Sequence, residues 1–429
     1  MPSYSSEDIQ MLNSVDFRNG TRKPPVDYIA TAKERQLETK AKKIAEMIDS
    51  GSRSGEALLR YQKYAKSGGL LRDDYRREIW PLLAANLPAA DHLDVRSKST
   101  WTSNLSIPTR LHSNCGSESE IYDSARSSLS TDDVNTSSEL PSSSPSLEEL
   151  QKHVEWNQVE LDVHRTLARF PPNIDEAERL QLQADLTPMI VELLSLNGNF
   201  RYYQGFHDVC LTLMLAMDVE RAKQVGRLLV ERGTFCNYLT KSLEESALRE
   251  LRFLYVILWK SDPELERHMR NAELGTLFAL SWPLTWFSHA LDSYEHICRC
   301  FDLFLASHPL MPIYVSAALV EHRRGELMSA ECDMPILHHM LNHVPKSVDL
   351  DYVLARAQSL FNDYRPQLIQ GKFLRDYEQL CEREGKLQRI PPANTIQRTN
   401  LPLAAAGVAI LGVGVYWILS KYQMEFNFN

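Results

Sequence analysis

Cysteine is scarce in this chain, and it is not arranged for metal or disulfide chemistry. The seven cysteines among 429 residues form no Cys-x-x-Cys pair and have no histidine at the spacing of a zinc ligand. Such spacings mark most zinc sites and disulfide frameworks, so their absence argues against both. We therefore predict reduced thiols in a cytosolic body that holds no metal.

An excess of positive charge is also lacking. The chain has 47 Lys and Arg against 56 Asp and Glu, for a net charge of −9, and its basic residues are spread along the sequence. A protein that binds nucleic acid needs a basic surface against the phosphates, so we predict no nucleic-acid partner. The phosphate-binding patterns GxxxxGK[ST] and GxGxxG do not occur either, which predicts that the chain binds no GTP by itself.

A long apolar run lies near the C-terminus. No residue between Arg398 and Lys421 is charged, and residues 401–419 read LPLAAAGVAILGVGVYWIL. About 20 apolar residues cross a bilayer as a helix, and a buried soluble helix would normally keep one polar face. We predict a single transmembrane tail anchor at 401–420 that contacts the lipid bilayer and leaves the N-terminal body in the cytosol.

The length of this run favours a thin membrane. A moderately apolar span of about 19 residues suits the endoplasmic reticulum better than the plasma membrane, although mitochondrial tails overlap it. We predict the endoplasmic reticulum membrane as the location, with the early Golgi as the alternative.

The rest of the sequence has the periodicity of helices, and we find no convincing run of alternating strand residues. This pattern predicts an all-α fold, and the absence of a fixed repeat argues against a solenoid. Ser146 and Glu149 form a capping box, which predicts a helix that continues through Leu167. The other predicted helices cover about 27–50, 56–66, 174–196, 206–217, 221–231, 242–260, 263–271, 294–307, 312–326 and 353–361.

Composition divides the chain further. Residues 97–145 are rich in Ser, Thr, Asn and Asp and poor in apolar groups, so we predict a disordered insertion there. The insertion interrupts a main domain at 61–330, which follows an N-terminal helical extension at 1–60. C-terminal helices at 331–390 and a linker at 391–400 lead to the anchor.

A first polar cluster lies late in a predicted helix. Asp162 and Arg165 are three residues apart, so their side chains share one face, and the carboxylate can fix the direction of the guanidinium. By spacing alone, an ordinary surface ion pair is the favoured explanation of this cluster.

A second polar cluster follows an Asn-Gly turn. Its sequence is Arg-Tyr-Tyr-Gln-Gly-Phe-His-Asp at 201–208. Gly205 permits a backbone bend, so Gln204 can project from a loop that leads into an apolar helix. The alternative is a helix entry that is merely capped by polar groups.

Several short motifs occur in a fixed order, and they are specific only as a set. They are Arg76-x-x-x-Trp80, Val159-x-x-Asp162-x-x-Arg165, Tyr202-x-Gln204-Gly205, the segment 282–287 with Trp286 and Phe287, and the segment 299–302, which ends at Asp302.

This ordered set resembles the TBC-domain family of Rab GTPase-activating proteins. The resemblance implies a two-lobed helical domain at 61–330, with 331–390 in the second lobe. It implies that Arg165 is an arginine finger and Gln204 a glutamine finger, both supplied in trans to the site of a GTP-bound Rab. Asp162, Tyr202 and Gly205 would orient the fingers or contact the Rab.

The resemblance also limits the chemistry of the chain itself. GTP and Mg²⁺ would arrive with the Rab, so the protein would be an activator with no cofactor of its own rather than an enzyme. Within the family, a domain followed by a C-terminal membrane span resembles members that act in the endoplasmic reticulum, and this resemblance implies the Rab of ER-to-Golgi traffic. Arg76, Trp80, Trp286 and Asp302 would be motif residues of the core, since large aromatics in a helical domain usually pack.

The sequence departs from the family pattern at two places, and it leaves alternatives open. The Ser-rich insertion lengthens a loop, and His207 stands where many members carry asparagine, which could alter partner choice or local packing. A non-catalytic Rab-binding scaffold remains an alternative, as does a structural membrane protein with accidental motif matches. The sequence gives no oligomeric state.

Deletion of residues 401–420 is expected to move the protein from the membrane pellet to the soluble fraction, because those residues supply the apolar length of a bilayer span. Alkaline carbonate extraction of cell membranes measures this. Deletion of 97–145 is the control and should leave the protein in the pellet; a pelleted protein without 401–420 would contradict the anchor.

Overall fold

The computed structural model describes residues 26–88, 145–168, 170–171 and 174–384, with side chains from residue 34 onward. These ranges are all-helical and contain no β-strand, as the sequence predicts. Within them, no helix combines the length and apolar character that a membrane crossing requires. The predicted linker and anchor at 391–400 and 401–420, and nearly all of the Ser-rich segment, lie outside the described residues.

The described ranges contain nineteen α-helices, and a 3-10 helix at Leu277–Ala279 precedes α12. The α-helices are α1 (Val26–Asp49), α2 (Gly55–Lys66), α3 (Asp73–Ala85), α4 (Leu147–Leu150), α5 (Trp156–Leu167), α6 (Glu176–Ser195), α7 (Phe206–Ala216), α8 (Val219–Glu231), α9 (Thr234–Thr240), α10 (Ala247–Ser261), α11 (Pro263–Asn271), α12 (Ser281–Leu284), α13 (Tyr294–Leu305), α14 (Met311–His322), α15 (Arg324–Ser329), α16 (Met334–Leu341), α17 (Leu350–Asp363), α18 (Pro366–Gln370) and α19 (Lys372–Arg383).

The chain divides into two compact units, residues 1–377 and residues 378–429. All the motif residues lie in the first unit, and the described part of the second is the end of α19 and Glu384. The boundary between two lobes stays a prediction.

Two helices of the first unit form the centre of its packing. The segments of α7 and α14 are almost continuously apolar, and nearly all of their side chains are buried. A helix that is apolar on all sides is stable only when other helices surround it. Accordingly, α8 and α5 pack on α7, while α17, α10 and α13 pack on α14.

The helix predicted to run from the capping box through Leu167 is broken, so that prediction was wrong in its extent. The capping box forms at Ser146, but α4 ends at Leu150 and α5 begins at Trp156. His153 accounts for the break: its Nδ1 accepts the backbone N–H of Glu155 at 3.2 Å, a local bond that competes with the helix.

The carboxylate of Asp302 in α13 connects that helix to residues 70–80. Asp302 is fully buried and accepts hydrogen bonds from Leu70 N at 2.8 Å, from Trp80 Nε1 at 2.8 Å and from Arg76 Nε and Nη2 at 3.2 Å each. Burial by itself would lower the pKa of Arg76, but the attraction of Asp302, together with smaller effects that include hydrogen bonds to Asp302 and Asp73, outweighs burial and raises that pKa. Arg76 and Trp80 of the first motif and Asp302 of the last therefore form one buried, charged cluster.

The turn before α7 depends on a glycine. Gly205 has φ of +108°, a conformation that residues with a Cβ rarely adopt. A Cβ there would also lie 2.7 Å from Cγ2 of Thr285. Thr285 is buried, and its hydroxyl is held by Ser281 O at 2.8 Å, so it cannot easily move aside.

Substitution Asp302→Ala should lower the free energy of unfolding by about 3–5 kcal/mol, because it leaves the N–H groups of Leu70 and Trp80, and two N–H groups of the buried Arg76, without their acceptor. Arg76 then keeps only its ion pair with Asp73. Urea denaturation of the full chain measures it. Glu56→Ala, which removes an exposed ion pair to Arg60, is the control and should cost less than about 1 kcal/mol. Equal effects of the two substitutions would contradict this assignment.

Substitution Gly205→Ala should cost about 1–3 kcal/mol in the same assay, because alanine must adopt a positive φ and displace Thr285. The matched control is Gly198→Ala, in the neighbouring turn, where an added Cβ meets no atom within 4 Å. If both variants unfold at the same urea concentration, the turn does not require glycine.

Candidate functional site

Arg165 lies in the last turn of α5 and faces solvent. The apolar face of this helix is buried and includes Val159, Val163 and Leu167. Arg165 lies outside that face, and its side chain is 63% exposed. Its Nη1 donates to Oδ1 of Asp162 at 3.3 Å, and Asp162 is only 2% exposed. A buried carboxylate therefore holds one edge of the guanidinium, while the remainder of the group faces outward.

Asp162 connects α5 to the Tyr-x-Gln-Gly loop. Besides Arg165, its carboxylate accepts hydrogen bonds from Gln158 Nε2 at 3.2 Å and from the Tyr202 hydroxyl at 3.1 Å. An ion pair with an exposed arginine adds little stability, so the effect of these bonds is mainly geometric. The predicted orienting residues Asp162 and Tyr202 do lie together beside Arg165.

Tyr202 serves as a neutral hydrogen-bond donor. Burial raises its pKa well above the ordinary value for tyrosine, and the negative charge of Asp162 raises it further. The hydroxyl keeps its proton at neutral pH and can donate a hydrogen bond to Asp162.

Gln204 projects from a rigid loop. The backbone N–H of Arg201 donates to Leu239 O at 2.8 Å, and the Tyr203 hydroxyl donates to Leu284 O at 2.9 Å. Gln204 itself is exposed, and its side-chain amide has no hydrogen-bonding partner within the described part of the chain. The loop thus presents a free amide to solvent, with Gly205 as its bend.

A buried polar network lies behind these two groups, and sequence reasoning missed most of it. His207 Nδ1 lies 2.6 Å from the Tyr202 hydroxyl, and His207 Nε2 lies 2.9 Å from Thr166 Oγ1. Thr166 also donates to Asp208 Oδ1 at 3.3 Å, and Asp208 Oδ2 lies 3.0 Å from His289 Nδ1. The one signal in the sequence is His207, which departs from the pattern of the family that the motifs resemble.

Asp208 is the charged member of this network. Burial by itself would raise its pKa, but the attraction of His207 and the hydrogen bond with His289 outweigh burial and lower the pKa to about 2. The carboxylate is therefore ionised at neutral pH, and it accepts from both Thr166 and His289.

The other motif residues have structural roles. Arg76, Trp80 and Asp302 form the buried cluster described above. Trp286 is 3% exposed, and the centroid of its ring lies 5.0 Å from that of Phe235, so it packs in the core. Trp286 and Phe287 both have positive φ, at 48° and 67°, so the segment that follows Thr285 is strained and is held by aromatic packing.

The described residues contain no group of three or more His, Cys, Asp or Glu side chains that could hold a metal ion. That the chain carries no cofactor of its own stays a prediction. The site consists instead of two exposed polar side chains, a guanidinium and an amide, on a rigid buried support.

Comparison with known proteins places this chain in a family. Residues 73–328 match the model of the Rab-GTPase-TBC domain. TBC1 domain family member 20 of Bos taurus is 32% identical over 329 residues, which cover 76% of this chain and 68% of that protein. GTPase-activating protein gyp10 of Schizosaccharomyces pombe is 27% identical over 205 residues, which cover 47% of this chain and 54% of that protein.

A solved structure is also similar. The crystal structure of the Ypt/Rab-GAP domain of Gyp1p covers 50% of this chain and 76% of its own, with 18% identity and a TM-score of 0.42. From the extent of the domain match and the identity to member 20, the chain belongs to the Rab-GTPase-TBC domain family.

Proposed function

We propose that this protein accelerates GTP hydrolysis by a Rab GTPase, and that Arg165 and Gln204 enter the nucleotide site of the partner. The observation that carries the proposal is that the chain presents two groups to solvent. One is the guanidinium of Arg165, which the buried Asp162 orients, and the other is the amide of Gln204, which makes no hydrogen bond within the described residues. A single carboxylate, through Tyr202, connects the two segments that present these groups.

Arg165 would stabilise the transition state. In phosphoryl transfer, negative charge shifts over the phosphate oxygens, and a guanidinium can bond two of them at once. Because Asp162 already orients one edge, less side-chain freedom is lost when the arginine docks. An arginine supplied in trans is worth about 10³- to 10⁵-fold in rate.

Gln204 would position the attacking water. An amide can donate to one oxygen and accept from another, which suits a water that must be aligned with the γ-phosphate. The free amide and the rigid loop, with its left-handed glycine, support this role. GTP and Mg²⁺ would come with the Rab, so the chain would act as a regulator without a cofactor of its own.

The predicted anchor at 401–420 would add to specificity. If the span holds the protein on the endoplasmic reticulum membrane, a Rab of ER-to-Golgi traffic on the same membrane meets it at a raised effective concentration. The apolar run in the sequence supports this part of the proposal.

A non-catalytic Rab-binding scaffold is the rival function. A scaffold requires neither an oriented guanidinium nor a free amide at one surface, and this chain has both. The two functions differ in what happens when the guanidinium alone is removed: a scaffold should keep its binding and its cellular effect.

Arg165→Ala is expected to reduce the acceleration of its Rab by about 10³-fold or more in single-turnover GTP hydrolysis with a panel of purified Rabs. Arg165→Lys should lose most of the activity too, because a flexible ammonium cannot replace the planar fork. The matched control is Arg227→Ala, since Arg227 is equally exposed, at 63%, and is also paired within its helix.

Gln204→Ala should reduce the acceleration by about 10²- to 10³-fold, the usual scale for one transition-state hydrogen bond. Binding of the GTP-bound Rab should persist in both finger variants. Measurable binding without acceleration by the wild-type protein would instead support the scaffold.

A further inference from the structure

The imidazole of His207 lies between the two segments that carry the exposed arginine and glutamine. One nitrogen, Nε2, contacts the hydroxyl of Thr166 at 2.9 Å, and the other, Nδ1, contacts the hydroxyl of Tyr202 at 2.6 Å. Thr166 directly follows Arg165 in α5, whereas Tyr202 precedes Gln204 by two residues in the loop before α7. One ring thus spans the gap between them.

The position of this ring is fixed from all sides. His207 is 4% exposed and belongs to the first turn of α7, whose side chains are nearly all buried. Thr166 shares its hydroxyl with Asp208, and Tyr202 shares its hydroxyl with Asp162. Each end of the imidazole therefore meets a hydroxyl that is itself held by a buried carboxylate, and such a network is rigid only when each member is satisfied.

We propose that His207 is a positioning residue that sets the spacing between the Arg165 segment and the Gln204 loop. This inference rests on the proposed function, because the spacing matters only if both side chains act together in one partner site. A misplacement of about 1 Å in a catalytic constellation can cost about 10²-fold in rate. Without His207, two polar links would remain: the hydrogen bond between Tyr202 and Asp162, and that between Thr166 and Asp208 at the start of α7.

Two substitutions of His207 can each remove the hydrogen bond of one ring nitrogen and keep that of the other. The amide of asparagine reaches the position of Nδ1 but not that of Nε2, whereas the amide of glutamine reaches that of Nε2. His207→Asn should therefore keep the bond to Tyr202 and leave Thr166, next to Arg165, with only its bond to Asp208. His207→Gln should keep the bond to Thr166 and leave Tyr202, near Gln204, with only its bond to Asp162.

The first measurement is the single-turnover rate of the full chain with its responsive Rab over a range of protein concentrations. We expect each variant to lower the maximal rate about 10- to 100-fold while the half-saturating concentration changes less than about twofold. In a Gln204→Ala background, His207→Gln should cause no further loss, because the loop it releases no longer carries the amide, whereas His207→Asn should still reduce the rate. Equal further losses from both would overturn the proposal.

The second measurement needs no Rab. Amide hydrogen exchange, read by mass spectrometry, should become faster at 163–168 in His207→Asn and at 200–206 in His207→Gln, with the other segment unchanged. His339→Asn and His339→Gln are controls at an exposed position in α16 and should change neither segment.

The two measurements separate the inference from the function on which it rests. If the wild-type chain activates no Rab but exchange shows the selective pattern, the proposed function fails and the bridge stands. If exchange rises throughout the first unit, or in neither segment, His207 does not set this spacing and the inference is wrong.

Discussion

The packing of the first unit depends on the hydrogen bonds that the buried carboxylate of Asp302 accepts. It compensates the charge of Arg76 and satisfies the N–H groups of Trp80 and Leu70, all within 3.2 Å. A buried ion pair adds little net stability over apolar packing, but the loss of one partner is costly because the other charge stays behind. The main effect of the cluster is therefore to select one arrangement of α3 against α13, because only that arrangement satisfies every polar group in it.

A second buried network uses the same physical principle for a different purpose. Asp162 and Asp208 each hold a hydroxyl, and His207 connects the two hydroxyls. The first cluster joins distant parts of the sequence, whereas this one supports two side chains that remain in solvent. Exposed groups on α5 and on the neighbouring loop thereby gain a fixed geometry from acids that never reach the surface.

Much of the fold could be predicted from the sequence, because apolar residues at helical spacing reveal long helices such as α6 and α10. The short helices α9 and α12, of seven and four residues, were not predicted, since so few residues show no period. The break between α4 and α5 also escaped, because it depends on a local bond made by one histidine. Local motifs indicated Asp162, Arg165, Tyr202, Gln204 and Gly205. The roles of Thr166 and Asp208 could not be predicted, because they depend on contacts between segments about 40 residues apart, which no local pattern encodes.

The Asp302 cluster also has a consequence for biosynthesis. Trp80 and Leu70 are separated from their acceptor by 222 and 232 residues, so the ribosome releases them long before Asp302 exists. During that interval α3 cannot bury Arg76 without leaving two of its N–H groups unsatisfied, although Asp73 in the same helix offsets part of the charge, and closure of so large a loop is slow. The N-terminal helices therefore cannot complete their packing until α13 emerges.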